Sequence, residues 1–413
     1  MTTMSESAQT DERRRRFTIG LLPRIGIAIL LGVGCGLIAP DWFIRVFATV
    51  NMVFGGFLNF MIPLIIIGLI APAIASLGRG AGTWLAVTAG LAYLSTIIAG
   101  GIALATGMLV FPHVLAPKTV AAQANPEDAL LKPFFEIEME PMFPVMTALV
   151  LAFVIGIGLT LIRGTVMLSA FEEFREIVNR VIAGVLIPLL PVYIFGIILN
   201  MTAAGEAFQI VTVFLVVVVI VFALTVLMLL LQYGAAGALT GRNPLRMLGT
   251  MMPAYATALG TSSSAATIPV TLRQCIKTGV SEPVASFVIP LCATVHLAGS
   301  TLKITSFALA IMYVSGIQVD LGLMIGFVFM LGVTMIAAPG VPGGAIMAAS
   351  GLLTTMLGFN AEQVGLMVAA YIALDSFGTA TNVTGDGAIA AIVDRLSRGR
   401  FRVDEQEREA AND

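Results

Sequence analysis

Residues 209–233, QIVTVFLVVVVIVFALTVLMLLLQY, carry no charged side chain. A hydrocarbon core asks about 20 such residues of a helix that crosses it. Inside that core every backbone N–H and C=O must be bonded within the protein, so a run of this kind has to be helical. Comparable runs occupy 17–39, 44–76, 83–111, 143–163 and 183–204. Composition agrees: 58% of the 413 residues are hydrophobic and 11% charged, too little charge to cover a water-soluble globule of this size. The expectation is an all-α polytopic membrane protein.

Charge distribution orients it. Arg13 to Arg16, Arg79, Arg163, Arg175, Arg180, Arg242 and Arg246 fall on one side under an alternating count. The stretch 112–142, with Glu127, Asp128, Glu136, Glu138 and Glu140, falls on the other. The positive-inside rule makes the arginine side cytoplasmic, as in a bacterial inner membrane, and the acidic loop external. The tail 397–413, with Arg398, Arg400 and Arg402, follows Arg395 to the inside, so both termini are expected in the cytoplasm and the crossings are even in number. Residues 1–16 form a basic N-terminus without the small-residue cleavage site of a signal peptide. Cys35, Cys275 and Cys292 lie in or beside apolar segments and form no disulfide framework. His113 and His296 do not have zinc-ligand spacing. No metal site, cofactor or nucleic-acid partner is expected; membrane lipids and a small-molecule substrate are.

After residue 240 the pattern changes. Stretches 245–276 and 322–358 are apolar but interrupted, by Gly260-Thr261-Ser262-Ser263-Ser264 and by Pro339-Gly340-Val341-Pro342-Gly343-Gly344. Each half is too short to span, so each stretch reads as a re-entrant helical hairpin, tolerated at membrane depth only where buried in protein or lining water. The plainer alternative is a pair of kinked helices. Each interrupted stretch precedes a long helix, 283–314 or 362–396, a pseudo-repeat that points to a transport site. On the second of these, Asp375, Thr379, Asn382 and Asp386 recur at intervals of four, three and four and share one face. Carboxylates in such a segment cost about 2.5–3.5 kcal/mol each on insertion scales. Lys303 lies too deep in 283–314 to snorkel, and its available counter-charges are Asp375 and Asp386.

Taken together, Ser262-Ser-Ser-Ala-Ala-Thr-Ile-Pro269, the Gly340-Val-Pro-Gly343 tip and Asn382-Val-Thr-Gly-Asp386 resemble the dicarboxylate/amino acid:cation symporters, the glutamate transporter family. Tyr93, Thr96 and the Gly78-Arg79 pair extend the resemblance along the chain. It implies eight transmembrane helices plus two re-entrant hairpins, in a homotrimer whose protomers work as elevators. Scaffold helices 1–2 and 4–5 would occupy 17–76 and 143–204. The transport domain would comprise 83–111, 209–233, hairpin 245–276, helix 283–314, hairpin 322–358 and helix 362–396. By resemblance, Ser263, Ser264 and Asn382 would hold a substrate carboxylate, helped by half-helix N-termini. Asp375 and Thr379 would take an amino group, and Gly340, Val341 and Gly343 would form the outer gate.

Several positions depart from the family pattern. Gly378 stands where acidic-amino-acid members carry a side-chain-binding arginine, and Phe307 where they carry a helper threonine. The sodium-binding Asn-Met-Asp reads Lys303-Ile304-Thr305, and Met335, Ala338 and Ile97 replace further ligands; Gly299, Asn382 and Asp386 are retained. The substrate expected from Gly378 and Phe307 is a neutral amino acid, with an acidic amino acid or C4-dicarboxylate as the rival. The coupling expected from Lys303, placed to neutralise Asp386, is by protons or exchange rather than sodium. An embedded enzyme would need a nucleophile–base pair, and Ser262–Ser264 show no histidine beside them in sequence. A channel would conduct without saturating.

Overall fold

The computed structural model describes residues 21–78, 83–115, 131–135, 137, 139–205, 207–338 and 342–397. All the regular structure among them is helical. The order is α1 (Leu21–Gly36), α2 (Asp41–Gly78), α3 (Thr83–Val114), α4 (Val145–Leu161), α5 (Val166–Val181), α6 (Ile187–Ala203), α7 (Ala207–Thr240), α8 (Pro244–Thr261) and α9 (Ser264–Lys277). Then come α10 (Glu282–Val295), α11 (Ala298–Val314), α12 (Leu321–Ile336), α13 (Gly344–Leu357), α14 (Ala361–Ala373) and α15 (Asp375–Ser397). The arginine cluster at 13–16, Arg79, most of the acidic loop, the tip residues Gly340 and Val341, and the tail from 398 lie outside the described residues.

Among the described residues, five helical stretches are long and apolar enough to cross a membrane: Asp41–Ala75, Thr83–Val114, Val166–Ala203, Val213–Thr240 and Glu282–Val314. A sixth is made by α14 and α15 together, bent by 60° at their junction. α4, at 17 residues, falls short of the about 20 that a hydrocarbon core asks, and α1 begins at the first described residue. Length alone therefore marks five or six crossings among the described residues.

Packing divides the helices into two groups. α2 lies against α4, α5 and α6, and α1 against α6. α15 is surrounded by α7, α8, α9, α10 and α11, and α3 lies along α11 and α12. The groups meet where α12, α13 and α14 touch α1, α2, α4 and α6. Between α2 and α6 on one side and Thr354, Thr355, Ala361 and Glu362 on the other lies a cavity of about 820 Å3. One apolar core runs through both groups, and a second fills the space between α7, α8, α10 and α15.

Three local features differ from the reading by hydropathy. The connection between 163 and 183 is helical: α5 continues through a π-helical turn at Ile182–Leu186 into α6. α5 is amphipathic, with Glu176 and Arg180 paired at 2.9 Å on its exposed face while Phe174 and Val178 close on Gly68 of α2. The helix expected at 283–314 breaks at His296–Leu297, where both residues leave helical geometry. The helix expected at 362–396 breaks at Leu374. Neither break contains glycine or proline.

Candidate functional site

Four interruptions supply the site. α8 ends in Ser262, whose backbone is left-handed (φ 49°), the one non-glycine residue in that state among those described. Such a conformation is uncommon outside glycine and is held by surrounding contacts. The contact here is Ser262 Oγ to Ser376 Oγ, 2.6 Å, which fixes this hairpin tip on the start of α15. Ser263 is extended and caps α9, its side chain accepting from the Ala266 amide at 3.3 Å; Ser264 is buried in the first turn.

The other hairpin reaches the same place. Gly343, at φ 75°, is the N-cap of α13, a conformation that favours glycine. Its N–H donates to Asp375 Oδ2 at 2.8 Å. Both hairpins therefore converge on the α14–α15 break, with Asp375 between them.

Lys303 comes to that break from α11. Its ammonium donates to the Leu374 carbonyl at 3.0 Å, lies 3.7 Å from Asp375 Oδ1 and stands 3.9 Å above the Tyr371 ring. That carbonyl also accepts from the Phe377 and Gly378 amides of α15, so the lysine joins an acceptor at the junction of the two helices. The ring face adds a cation–π attraction. Lys303 is 1% exposed.

The partnership expected between Lys303 and Asp386 is not the one the fold makes. Asp375 and Asp386 are eleven residues apart on α15, about 16 Å along the axis, and the lysine stem reaches toward the break. Asp386 Oδ1 is instead 2.8 Å from His296 Nδ1, with both side chains fully buried. His296 Nε2 is 3.0 Å from Ser95 Oγ of α3 and 3.3 Å from Gln232 Nε2 of α7, and Gln232 Nε2 donates to Ser95 Oγ at 2.9 Å. Which of His296 Nε2 and Ser95 Oγ donates to the other depends on the tautomer of the ring. A hydroxyl can reverse its role. Ser95 can therefore accept from Nε2 when the ring is doubly protonated, giving the network two hydrogen-bonded states.

The space beside Gly378, where acidic-amino-acid members would carry an arginine, is filled by Lys303. A Cβ at 378 would overlap Lys303 Cε and Nζ. Phe307, one turn on from Lys303, is buried and stacks on Phe214 of α7 at 5.5 Å. Asn382 ties α15 to the start of α11: its Oδ1 accepts from the Gly299 amide at 2.8 Å and its Nδ2 donates to Ser300 Oγ at 3.2 Å. Gly299 sits so close to α15 that a Cβ would meet Gly378 O at 2.7 Å. Thr379 is buried in the same turn, and the buried Thr305 hydroxyl has no hydrogen-bond partner among the described residues. Gly378→Ala is expected to cost about 1–3 kcal/mol, the usual range for overpacking, because the lysine must leave three partners. Denaturant titration of the solubilised protein would measure it.

The side chains at these positions are engaged within the protein. The carboxylate oxygen of Asp386 is directed at an imidazole, the Asn382 oxygen at an amide, and position 303 brings a cation. Met335, Ala338 and Ile97 offer no side-chain oxygen. Among the described residues no group of three or more His, Cys, Asp or Glu is placed to hold a metal.

His296, Ser95, Gln232 and Tyr371 were not among the sequence-derived candidates. A polar residue in each of several apolar spans was the available signal for the first three.

Residues 21–396 match the family model described as the sodium:dicarboxylate symporter family. Excitatory amino acid transporter 4 of Mus musculus is 31% identical over 265 residues, covering 62% of this chain and 46% of the mouse protein. The match thus spans about half the length of that relative.

Proposed function

Because the chain belongs to the sodium:dicarboxylate symporter family, we propose that it is a secondary transporter of a small carboxylate-bearing solute whose movement is coupled to protons or to exchange, without sodium. The observation that carries this reading is the pairing of both buried carboxylates of the site with side chains of the protein itself, Asp375 with Lys303 and Asp386 with His296. An ion that travels with the solute must be able to leave. A lysine or histidine cannot leave, but a histidine can release a proton. The His296 network, with hydrogen-bond partners for either protonation state, is the proposed proton carrier.

The solute is proposed to sit where the hairpin tips meet the α14–α15 break. The amides opening α9 present partial positive charge to a carboxylate there. An elevator motion is supported by the two helix groups and by the cavity that separates α13–α14 from α2 and α6. In this reading α1, α2 and α4–α6 are the scaffold and α3 and α7–α15 the moving domain. Exposed Leu30, Leu31, Trp42, Val154 and Leu161 on the scaffold helices suit lipid and the contacts of a homotrimer. The arginine-rich side is proposed to be cytoplasmic.

Uptake of labelled succinate and labelled L-amino acids into proteoliposomes tests the coupling. An inwardly directed proton gradient, or unlabelled solute inside, is expected to drive accumulation, with an imposed sodium gradient adding nothing. Steep, saturable sodium dependence at fixed pH and voltage would refute the proposal.

A further inference from the structure

The transport reading leaves open what kind of carboxylate the site accepts, and the surroundings of Asp375 bear on that. A solute with an ammonium group needs an anion to receive it. Across residues 283–374 the only carboxylates are Asp320 and Glu362, and α8 and α9 have none. Asp320 caps α12 at the end remote from the tip, accepting from the Leu323 amide at 2.6 Å. Glu362 opens α14, a whole helix away from the break, and Asp386 faces His296. Among the described residues, Asp375 is therefore the one carboxylate where the hairpin tips converge. Both of its oxygens are committed, Oδ2 to the Gly343 amide and Oδ1 to the Lys303 ammonium.

Resting on the transport reading, we propose that Lys303 is a specificity-determining residue: it fills the cation side of the site from within, so the solute carried is an organic acid that has no ammonium group of its own. Lys303 acts through Asp375 and does not touch the solute. An amino acid entering beside this pair would meet a buried like charge and an anion already neutralised. The penalty expected is roughly a hundredfold in affinity. Gly378 is what allows the lysine to lie there, since any side chain at that position would take its space. The groups beside this pair are donors: the first amides of α9, of which that of Ala266 already meets Ser263 Oγ, and the one hydrogen that the Ser262–Ser376 hydroxyl pair has to spare. They suit a carboxylate.

The test compares matched acids differing only in the amino group: succinate with L-aspartate, glutarate with L-glutamate, and 3-phenylpropionate with L-phenylalanine. Thermal shift of the full chain in detergent gives Kd values, and each acid is also offered as a competitor in proteoliposome exchange. The deaminated acid is expected to bind roughly a hundredfold more tightly in any pair that binds. Lys303→Met, which frees Asp375, is expected to reduce or invert that ratio by about tenfold or more. Should that variant fail to fold, Lys303→Met/Asp375→Asn leaves no buried charge and is expected to fold with the ratio close to one. An amino acid that outcompetes its deaminated partner in the wild type would overturn the inference, as would an unchanged ratio in the double variant. Absence of saturable binding and exchange with all six acids would instead refute the transport reading, and the inference would fall with it.

Discussion

Asp375→Ala is expected to destabilise the protein by about 3–5 kcal/mol, the usual cost of removing one partner from a buried ion pair. Lys303 would keep its bond to Leu374 O and the Tyr371 ring but lose its only anion. The amide of Gly343 would lose its acceptor as well, so the second hairpin tip would come loose from α15. From the sequence, Asp375 looks like a ligand whose loss would spare the fold; in the structure it joins two hairpins and a lysine. Asp375→Asn keeps an acceptor for Gly343 and should cost less. Lys303→Met/Asp375→Asn should recover most of the loss, because replacing both members of a buried pair is far milder than replacing one. Unfolding of the three variants in mild detergent would be compared. A single Asp375→Ala variant as stable as the wild type would refute the structural role of the pair.

His296→Leu is the second large effect expected. It removes the partner of a fully buried carboxylate, and a charge left alone in such a place takes up a proton instead. Asp386 would be held neutral, and Ser95 and Gln232 would lose the ring nitrogen they surround. The destabilisation expected is about 1–3 kcal/mol, the usual cost of leaving buried hydrogen-bonding groups without a partner. The kinetic signature separates packing from coupling. Exchange of internal for external solute should persist in the folded fraction, while accumulation driven by a proton gradient should vanish. His296→Gln, which retains a polar side chain, should restore stability in part and leave the gradient response lost. Gradient-driven accumulation in either variant would exclude His296 as the proton carrier.

The membrane class was legible from hydropathy, and the family from three motifs in a fixed order, because both depend on local sequence. What the sequence left open depends on which side chains meet. Lys303 had two possible counter-charges eleven residues apart on one helix, and only the direction of its stem selects Asp375. Gly378 read as empty volume, since nothing in a one-dimensional pattern shows that a residue 75 positions earlier fills it. His296 was weighed for metal-ligand spacing and set aside; its partners lie on three other helices, and Ser95 and Gln232 are themselves 137 residues apart. The two helix breaks carry no glycine or proline signal. They are held by tertiary contacts instead, His296 by Asp386 and the Leu374 carbonyl by Lys303. The amphipathic α5 has no uniformly apolar run for hydropathy to register.

The shared space of positions 303 and 378 limits how this chain could change its diet. A guanidinium installed at 378 while the lysine stays would face both a collision and a second buried positive charge. Removing the lysine first would leave Asp375 unpaired until some other cation arrived. Each single step toward a differently charged solute thus passes through a protein poorer than either endpoint, and the two substitutions are beneficial only together. A lineage that acquired this lysine–glycine combination would be expected to keep it as a unit. In directed evolution, libraries that vary 303 and 378 jointly should yield new solute preferences that libraries varying either position alone do not contain.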